Sequence, residues 1–239
     1  MAFVHGKNAA IWLDAVDVSQ FFNDLSASVS VDTAETSTFG ASWKTSIEGL
    51  AHGEVNCKGF YDKVNDAQLI AMIENGGSVL TTMPGGVAIG SAARLAKVHE
   101  VTVLESSPVG GAVLLTWAVQ ADGTIGFGYI LHPAATTDSG TTTGASHDDA
   151  ASSSTGWHAH LHVVAVSSGS WVVKLQDSAD NSSWSDVTGA AFTAATGATS
   201  QRLASAAVTT TLRRYVRYVA TVTGGSTPTI TFGLAISRN

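Results

Sequence analysis

From Ile230 to Ile236 every second residue is large and apolar, so Ile230, Phe232, Leu234 and Ile236 would share one face of an extended strand. A helix would scatter those four side chains around its circumference, whereas a pleated strand collects them on one side. The same period of two recurs upstream. Val29, Val31 and Thr33 alternate with Ser28, Ser30 and Asp32, while Val55, Cys57, Gly59 and Tyr61 alternate with Glu54, Asn56 and Lys58. Further strands are expected over residues 98–105, 112–120, 126–131, 158–166, 170–177, 202–206, 212–223 and 228–237. Turn signals such as Ser168-Gly169, Asp180-Asn181 and Gly224-Gly225 separate the later ones. Only one segment reads as a helix: Asn65 can cap it, Leu69, Ile70 and Ile73 form a stripe, and Gly76-Gly77 ends it. No repeat of fixed period is present. The expected class is mainly β with one short helix.

Thr136–Thr155 interrupts the pattern with TTDSGTTTGASHDDAASSST, which holds nothing more apolar than Ala or a Thr methyl. Such a stretch gains little by burial, so a linker is expected at 136–155, between a first part at 1–135 and a second at 156–239. Charge follows the same division. The first part has six basic against thirteen acidic residues, the linker adds three Asp, and the second part has six basic against three acidic. The net charge of −7 argues against affinity for nucleic acid through phosphate neutralisation. Charged residues are only 13% of the 239, replaced by 27 Ser, 27 Thr and 24 Gly, yet 44% are hydrophobic, enough for a core and against general disorder. The single cysteine, Cys57, excludes a disulfide scaffold and a Cys-based zinc site. No apolar run has the length of a signal peptide or a membrane span, so a cytoplasmically made protein with no membrane partner is expected.

Few motifs carry chemistry. His158, His160 and His162 alternate on one strand and would point to one side, a pattern from which an open zinc site can be built. In-line residues on a strand sit about 6.5–7 Å apart pairwise, too far for one metal to take all three easily. No adjoining carboxylate offers a general base, so an exposed or intersubunit strand face is the expected reading, and no metal or cofactor is assigned. Pro84–Gly90 lacks the Gly-Lys-Ser/Thr ending of a phosphate loop, and no Gly-x-Ser-x-Gly elbow occurs. Cys57 is expected to be inert packing. Trp171 alternates with Val173 and Leu175 and reads as core; Trp184 lies in a turn and could stack on a sugar. Arg213, Tyr215 and Arg217 form a stripe opposite Leu212, Val216, Tyr218 and Ala220, read either as a solvated face or as an interface. No catalytic constellation emerges.

The run Val31-Asp32-Thr33-Ala34-Glu35-Thr36-Ser37-Thr38-Phe39-Gly40, then Ile47-Glu48-Gly49-Leu50, then Gly59-Phe60-Tyr61-Asp62, resembles the opening of major tail tube proteins of long-tailed bacteriophages. The resemblance continues through Ile130–Pro133, Val173–Trp184, Arg214–Arg217 and Phe232–Arg238. It implies a β-sandwich subunit with a flanking helix, assembling into hexameric rings whose inner sheets join into a barrel, with rings stacked into a conduit for DNA ejection. On this reading residues 1–135 are the tail-tube domain and 156–239 a second β-sandwich. The protein is then a virion tail component that partners itself and other tail proteins, and DNA passes without specific binding. Asp32, Glu35, Glu48 and Glu54 are the candidates for lumen-facing acids, since an acidic wall repels phosphate. Ring closure would also use the strand edges that an isolated β protein must protect. Two other classes remain open: a carbohydrate-binding or adhesion protein using Trp184, and a zinc hydrolase at His158–His162.

Overall fold

A computed structural model describes residues 6–40, 42–62 and 77–239. The expected helix over 65–77 lies almost wholly outside the described residues. The remainder is mainly β: β1 Ala10–Leu13, β2 Val16–Asp17, β3 Phe22–Glu35, β4 Ser46–Phe60, β5 Ser78–Met83, β6 Ala92–Ser106, β7 Leu114–Ala121 and β8 Gly126–Ser139. There follow β9 Thr142–Thr143, β10 His147–Asp148, β11 Trp157–Val166, β12 Ser170–Ser178, β13 Ser185–Ala191, β14 Thr199–Ala204, β15 Tyr215–Thr223 and β16 Thr229–Arg238. No helix among the described residues is long and apolar enough to cross a membrane. The strands fall into two compact units, one of Met1–Ser19, Val79–Ala96 and Gly126–Asn239, the other of Gln20–Ser78 and Lys97–Ile125.

The first, a sandwich unit, has two sheets. One runs β14-β11-β16-β8-β6-β5-β1-β2, with the start of β6 in this unit; the other runs β10-β15-β12-β13, with β9 also beside β15. The alternation read from the sequence is the packing itself. Trp157, Ala159, Leu161 and Val163 of β11 join Ile230, Phe232, Leu234 and Ile236 of β16 against Trp171, Val173 and Leu175 of β12 and Val216, Tyr218 and Ala220 of β15. Each large apolar side chain buried there contributes roughly 1.5–3 kcal/mol. The larger sheet curls, so its other face closes on a second core of Trp12, Met83, Ala93, Leu95, Ile130 and Ala235. Its middle strands are consequently buried on both sides, as strands between two covering layers are.

Residues 136–155 are no free linker. β8 extends to Ser139 along β16, while β9 and β10 pair with β15, at Thr143↔Val219 and His147↔Val216. Polar contacts take the place of the missing apolar burial. Asp149 accepts the Tyr129 hydroxyl at 2.6 Å and Arg238 at 2.7 Å, and Asp148 takes a two-pronged contact from Arg214 at 2.6 and 2.7 Å. The segment therefore belongs to the sandwich unit, and the compact units do not follow a division at 135 and 156. A composition argument weighs only apolar area, and this segment is held by ladder hydrogen bonds and carboxylates.

The second, a hairpin unit, is a four-stranded antiparallel sheet ordered β3-β4-β7-β6. Val55, Cys57, Leu115, Trp117, Val119 and Val98 are buried in it. Phe22 stacks on Trp117 with ring centroids 5.8 Å apart. Gly59 is required where β4 approaches the start of β3, because a Cβ there would collide with the Phe21 carbonyl.

Asp149→Ala should destabilise the sandwich unit by about 2–4 kcal/mol, since it leaves Arg238 and Tyr129, both largely buried, without their carboxylate. Urea unfolding followed by tryptophan fluorescence measures this; an unchanged midpoint would mean that residues 142–149 are a tether after all.

Candidate assembly surface

The β3–β4 hairpin carries all four acidic candidates, and its register decides which can act together. Directly opposed residues share a face. The pairs Asp24↔Lys58, Ser26↔Asn56, Ser28↔Glu54 and Ser30↔His52 form a polar face, to which Asp32 also belongs by alternation. The pairs Leu25↔Cys57, Ala27↔Val55, Val29↔Gly53 and Val31↔Ala51 form the apolar face. Between Val31 and Thr33 the register shifts, with Gly49 and Leu50 of β4 set against Asp32 alone. A Cβ at Gly49 would lie 3.1 Å from both the Cβ and the carbonyl oxygen of Asp32, so a residue without a side chain suits the shift.

Beyond it Thr33 opposes Glu48 and Glu35 opposes Ser46. Asp32 and Glu54 therefore share the polar face, while Glu35 and Glu48 stand on the opposite one. All four are exposed. Glu35 holds Lys44 at 3.0 Å, and the His52 ring lies 2.9 Å from Ser30 Oγ and 3.9 Å from Asp32. Toward the tip the hairpin is exposed on both faces, and Val29, Val31, Phe39, Trp43, Ile47 and Leu50 are all open. This differs from the half-buried strand that the alternation of residues 28–33 predicts.

The histidines also depart from expectation. His158, His160 and His162 do share one face of β11, but it is the face turned to the second core, and they are only 9%, 0% and 2% exposed. The reading as an exposed or intersubunit face is therefore corrected: the sheet curls over it. Thr81 Oγ lies 3.0 Å from His160 Nδ1 and 2.8 Å from His162 Nε2, and His162 Nδ1 meets the Asp14 carbonyl. These partners lie 79 to 148 residues away in the chain, and no local motif signals them.

The Arg213, Tyr215 and Arg217 stripe lies on the outer face of the smaller sheet. Arg213 is exposed, 3.8 Å from Asp177, while Arg217 donates to Gln176 Oε1 at 2.8 and 3.0 Å and covers the Trp184 ring at 4.0 Å. One stacking face of Trp184 is thus already taken. Trp171 is core, as its alternation implies, and its indole donates to the Ser168 carbonyl.

No protein-family model and no curated protein matches the chain. Among solved structures, it is similar to a chain from the virion of a native gene transfer agent particle, at 11% identity and a TM-score of 0.43, covering 52% of this chain and 98% of that one. It is also similar to the Dit protein of phage SPP1, from the hub of the adsorption apparatus, at 11% identity and a TM-score of 0.37, covering 95% and 98%. A third is a chain of the sheath–tube complex of an extracellular contractile injection system, at 11% identity and a TM-score of 0.42, covering 53% and 92%. At these scores none of the three fixes what this chain does.

Cys57 reports on the apolar side of the hairpin unit. Burial, with a smaller push from Asp24, raises its thiol to about 12. At pH 8 only on the order of one molecule in ten thousand would then carry the reactive thiolate. A disulfide reagent should leave the native protein unmodified and titrate one thiol after denaturation. Prompt reaction of the native chain would mean that this face stands open.

Proposed function

We propose that the chain is a structural, non-catalytic subunit of a phage-type tail, whose hairpin unit joins copies of itself into rings that stack as a conduit for DNA. The observation that carries this reading is the edge of β3. Among the described residues this strand of 14 residues pairs with β4 alone, leaving a long open edge. Such an edge invites another strand unless it is blunted, and β3 has neither a proline nor a lysine. β6, at the other side of the same sheet, runs antiparallel to β3, because three antiparallel pairings separate them. A rotated copy that offers β6 therefore meets β3 in the antiparallel sense, a head-to-tail contact that closes into a ring if the rotation permits. Sixfold closure is the value that the tail-tube resemblance implies. The motifs of that resemblance between Val31 and Asp62 lie on this same hairpin.

The register sharpens the lumen assignment. Of the four acids, Asp32 and Glu54 share the polar face with the serines at 26, 28 and 30, which makes them, and not Glu35 and Glu48 on the other face, the preferred lumen pair. On a wall of small hydroxyls and sparse carboxylates, where Lys58 stands directly opposite Asp24, passing phosphate finds little to hold. The place of action is the virion tail, after synthesis in the host cytoplasm, with other tail proteins as further partners. Tube formation falls to the hairpin unit, and the sandwich unit decorates the outside of the tube or braces neighbouring subunits.

Negative-stain microscopy of the purified chain tests this: rings or tubes are expected, unchanged by chelator. Successive N–H groups on a strand point to opposite edges, so one of Ser30→Pro and Val31→Pro removes only an outward donor from β3. That variant should stay folded by circular dichroism and fail to assemble. A monomer at every concentration, or assembly indifferent to both prolines, would overturn the reading.

A further inference from the structure

The histidine face of β11 plays no part in the assembly reading, and its chemistry stands independently of that reading. The hydrogen atoms around Thr81 can be assigned by elimination. His162 Nδ1 lies 2.5 Å from the Asp14 carbonyl oxygen, which can only accept, so Nδ1 carries a hydrogen. In a neutral imidazole the other nitrogen is then bare, and His162 Nε2 must accept the Thr81 hydroxyl proton across 2.8 Å. Thr81 has no second proton, so its oxygen accepts from His160 Nδ1 at 3.0 Å. His160 therefore also carries its hydrogen on Nδ1. Its Nε2 is bare and has no hydrogen-bond partner among the described residues.

We propose that His160, Thr81, His162 and the Asp14 carbonyl form a one-way hydrogen-bond relay that latches β11 onto β5 and the β1–β2 turn, and that acid releases. Both ends of the latch are fixed. Asp14 adopts a left-handed φ of 50°, and its carboxylate accepts the Val79 N–H and the Ser200 hydroxyl at 2.9 Å each. The Trp12 ring meets His162 edge-on at 5.9 Å, sealing one side from water. Another proton breaks the one-way order of the relay. On His162 it would sit on Nε2 and confront the Thr81 hydroxyl hydrogen; on His160 it would sit on Nε2, where no acceptor is found among the described residues.

The surrounding charges give no relief to His160, and the Leu80 carbonyl is a smaller pull toward the protonated ring. Arg202, its direct neighbour on β14, and His158 on β11 both disfavour a cation there. Asp14 pulls His162 the other way, though its carboxylate is already engaged. On β8, His132 lines the same small cavity as His162 and is held by the Phe232 carbonyl and Asp138. Thr81 on β5 and Trp12 on β1 are neutral. Burial first, then His162, Arg202 and His158, holds His160 well below the ordinary histidine range, and burial brings His162 to about 4.

Well above pH ~6.5, from about pH 7.5, both rings are neutral whether the chain is folded or not, and they add no pH dependence. As pH falls from there toward 4 the unfolded chain takes up protons that the native one refuses, so stability declines. Each ring can shift the unfolding equilibrium by up to about tenfold per pH unit.

Nitrogen-15 NMR of the full chain between pH 7.5 and 5 decides the matter. His160 and His162 are expected to show a protonated Nδ1 and a bare Nε2, and to remain neutral at pH 5. Thr81→Val, which keeps the shape and removes the hydroxyl, should raise the unfolding constant at pH 7.5 by more than tenfold, while Thr81→Ser keeps the wild-type tautomers. If the valine variant does not fold, the wild-type and serine spectra carry the test. A hydrogen on His160 Nε2, either ring cationic at pH 6, or a valine variant as stable as wild type would overturn the proposal.

Discussion

From Trp157 to Val163 β11 has solvent on neither face, and much of the sandwich unit depends on covering it twice. Its odd-numbered residues Trp157, Ala159, Leu161 and Val163 need an apolar partner sheet, which β12 and β15 supply. Its even-numbered histidines need something different: a cover that excludes water and still offers hydrogen bonds. The curl of the larger sheet provides it, bringing Trp12 and Thr81 over the imidazoles. Burying a polar ring without a partner costs roughly 1–3 kcal/mol, so Thr81 and the Asp14 turn are as necessary to this strand as its tryptophan. The irregular backbone at Asp14 answers the same need, since the turn presents both its carbonyl and its carboxylate to neighbouring strands.

How far this was legible in the sequence depends on the distance over which the cause acts. Strand identity is local, and the alternations at residues 55–59, 171–175 and 230–236 predict the observed buried faces. The sidedness of His158, His160 and His162 is local too, but their burial is decided by a strand some 80 residues earlier, and nothing between 157 and 162 distinguishes a dry face from a wet one. Residues 136–155 fail for a different reason. Their polar composition is real, and the residues that hold them, Arg214 and Arg238, come from the far end of the chain. β5 escapes prediction because Ser78–Met83 has little alternation, being buried at nearly every position.

On the hairpin the sequence names the acids and pairing divides them. Residues three apart on a regular strand face opposite ways, which already separates Asp32 from Glu35. Placing Glu48 requires the register shift at Gly49-Leu50, because one extra residue exchanges the two faces of everything beyond it. The glycine there is legible in hindsight: it is the residue that lets β4 pass close to Asp32.

The division of the chain has a mechanical meaning. The hairpin unit is not threaded on one tether, since the backbone passes between the units four times, after residues 19, 78, 96 and 125. The second and third of these passages occur within β5 and β6, inside continuous strands. A force drawn along the hairpin unit is therefore shared among four covalent leads, two of them stiffened by ladder hydrogen bonds. Under load, sharing of this kind matters more than the strength of any single contact.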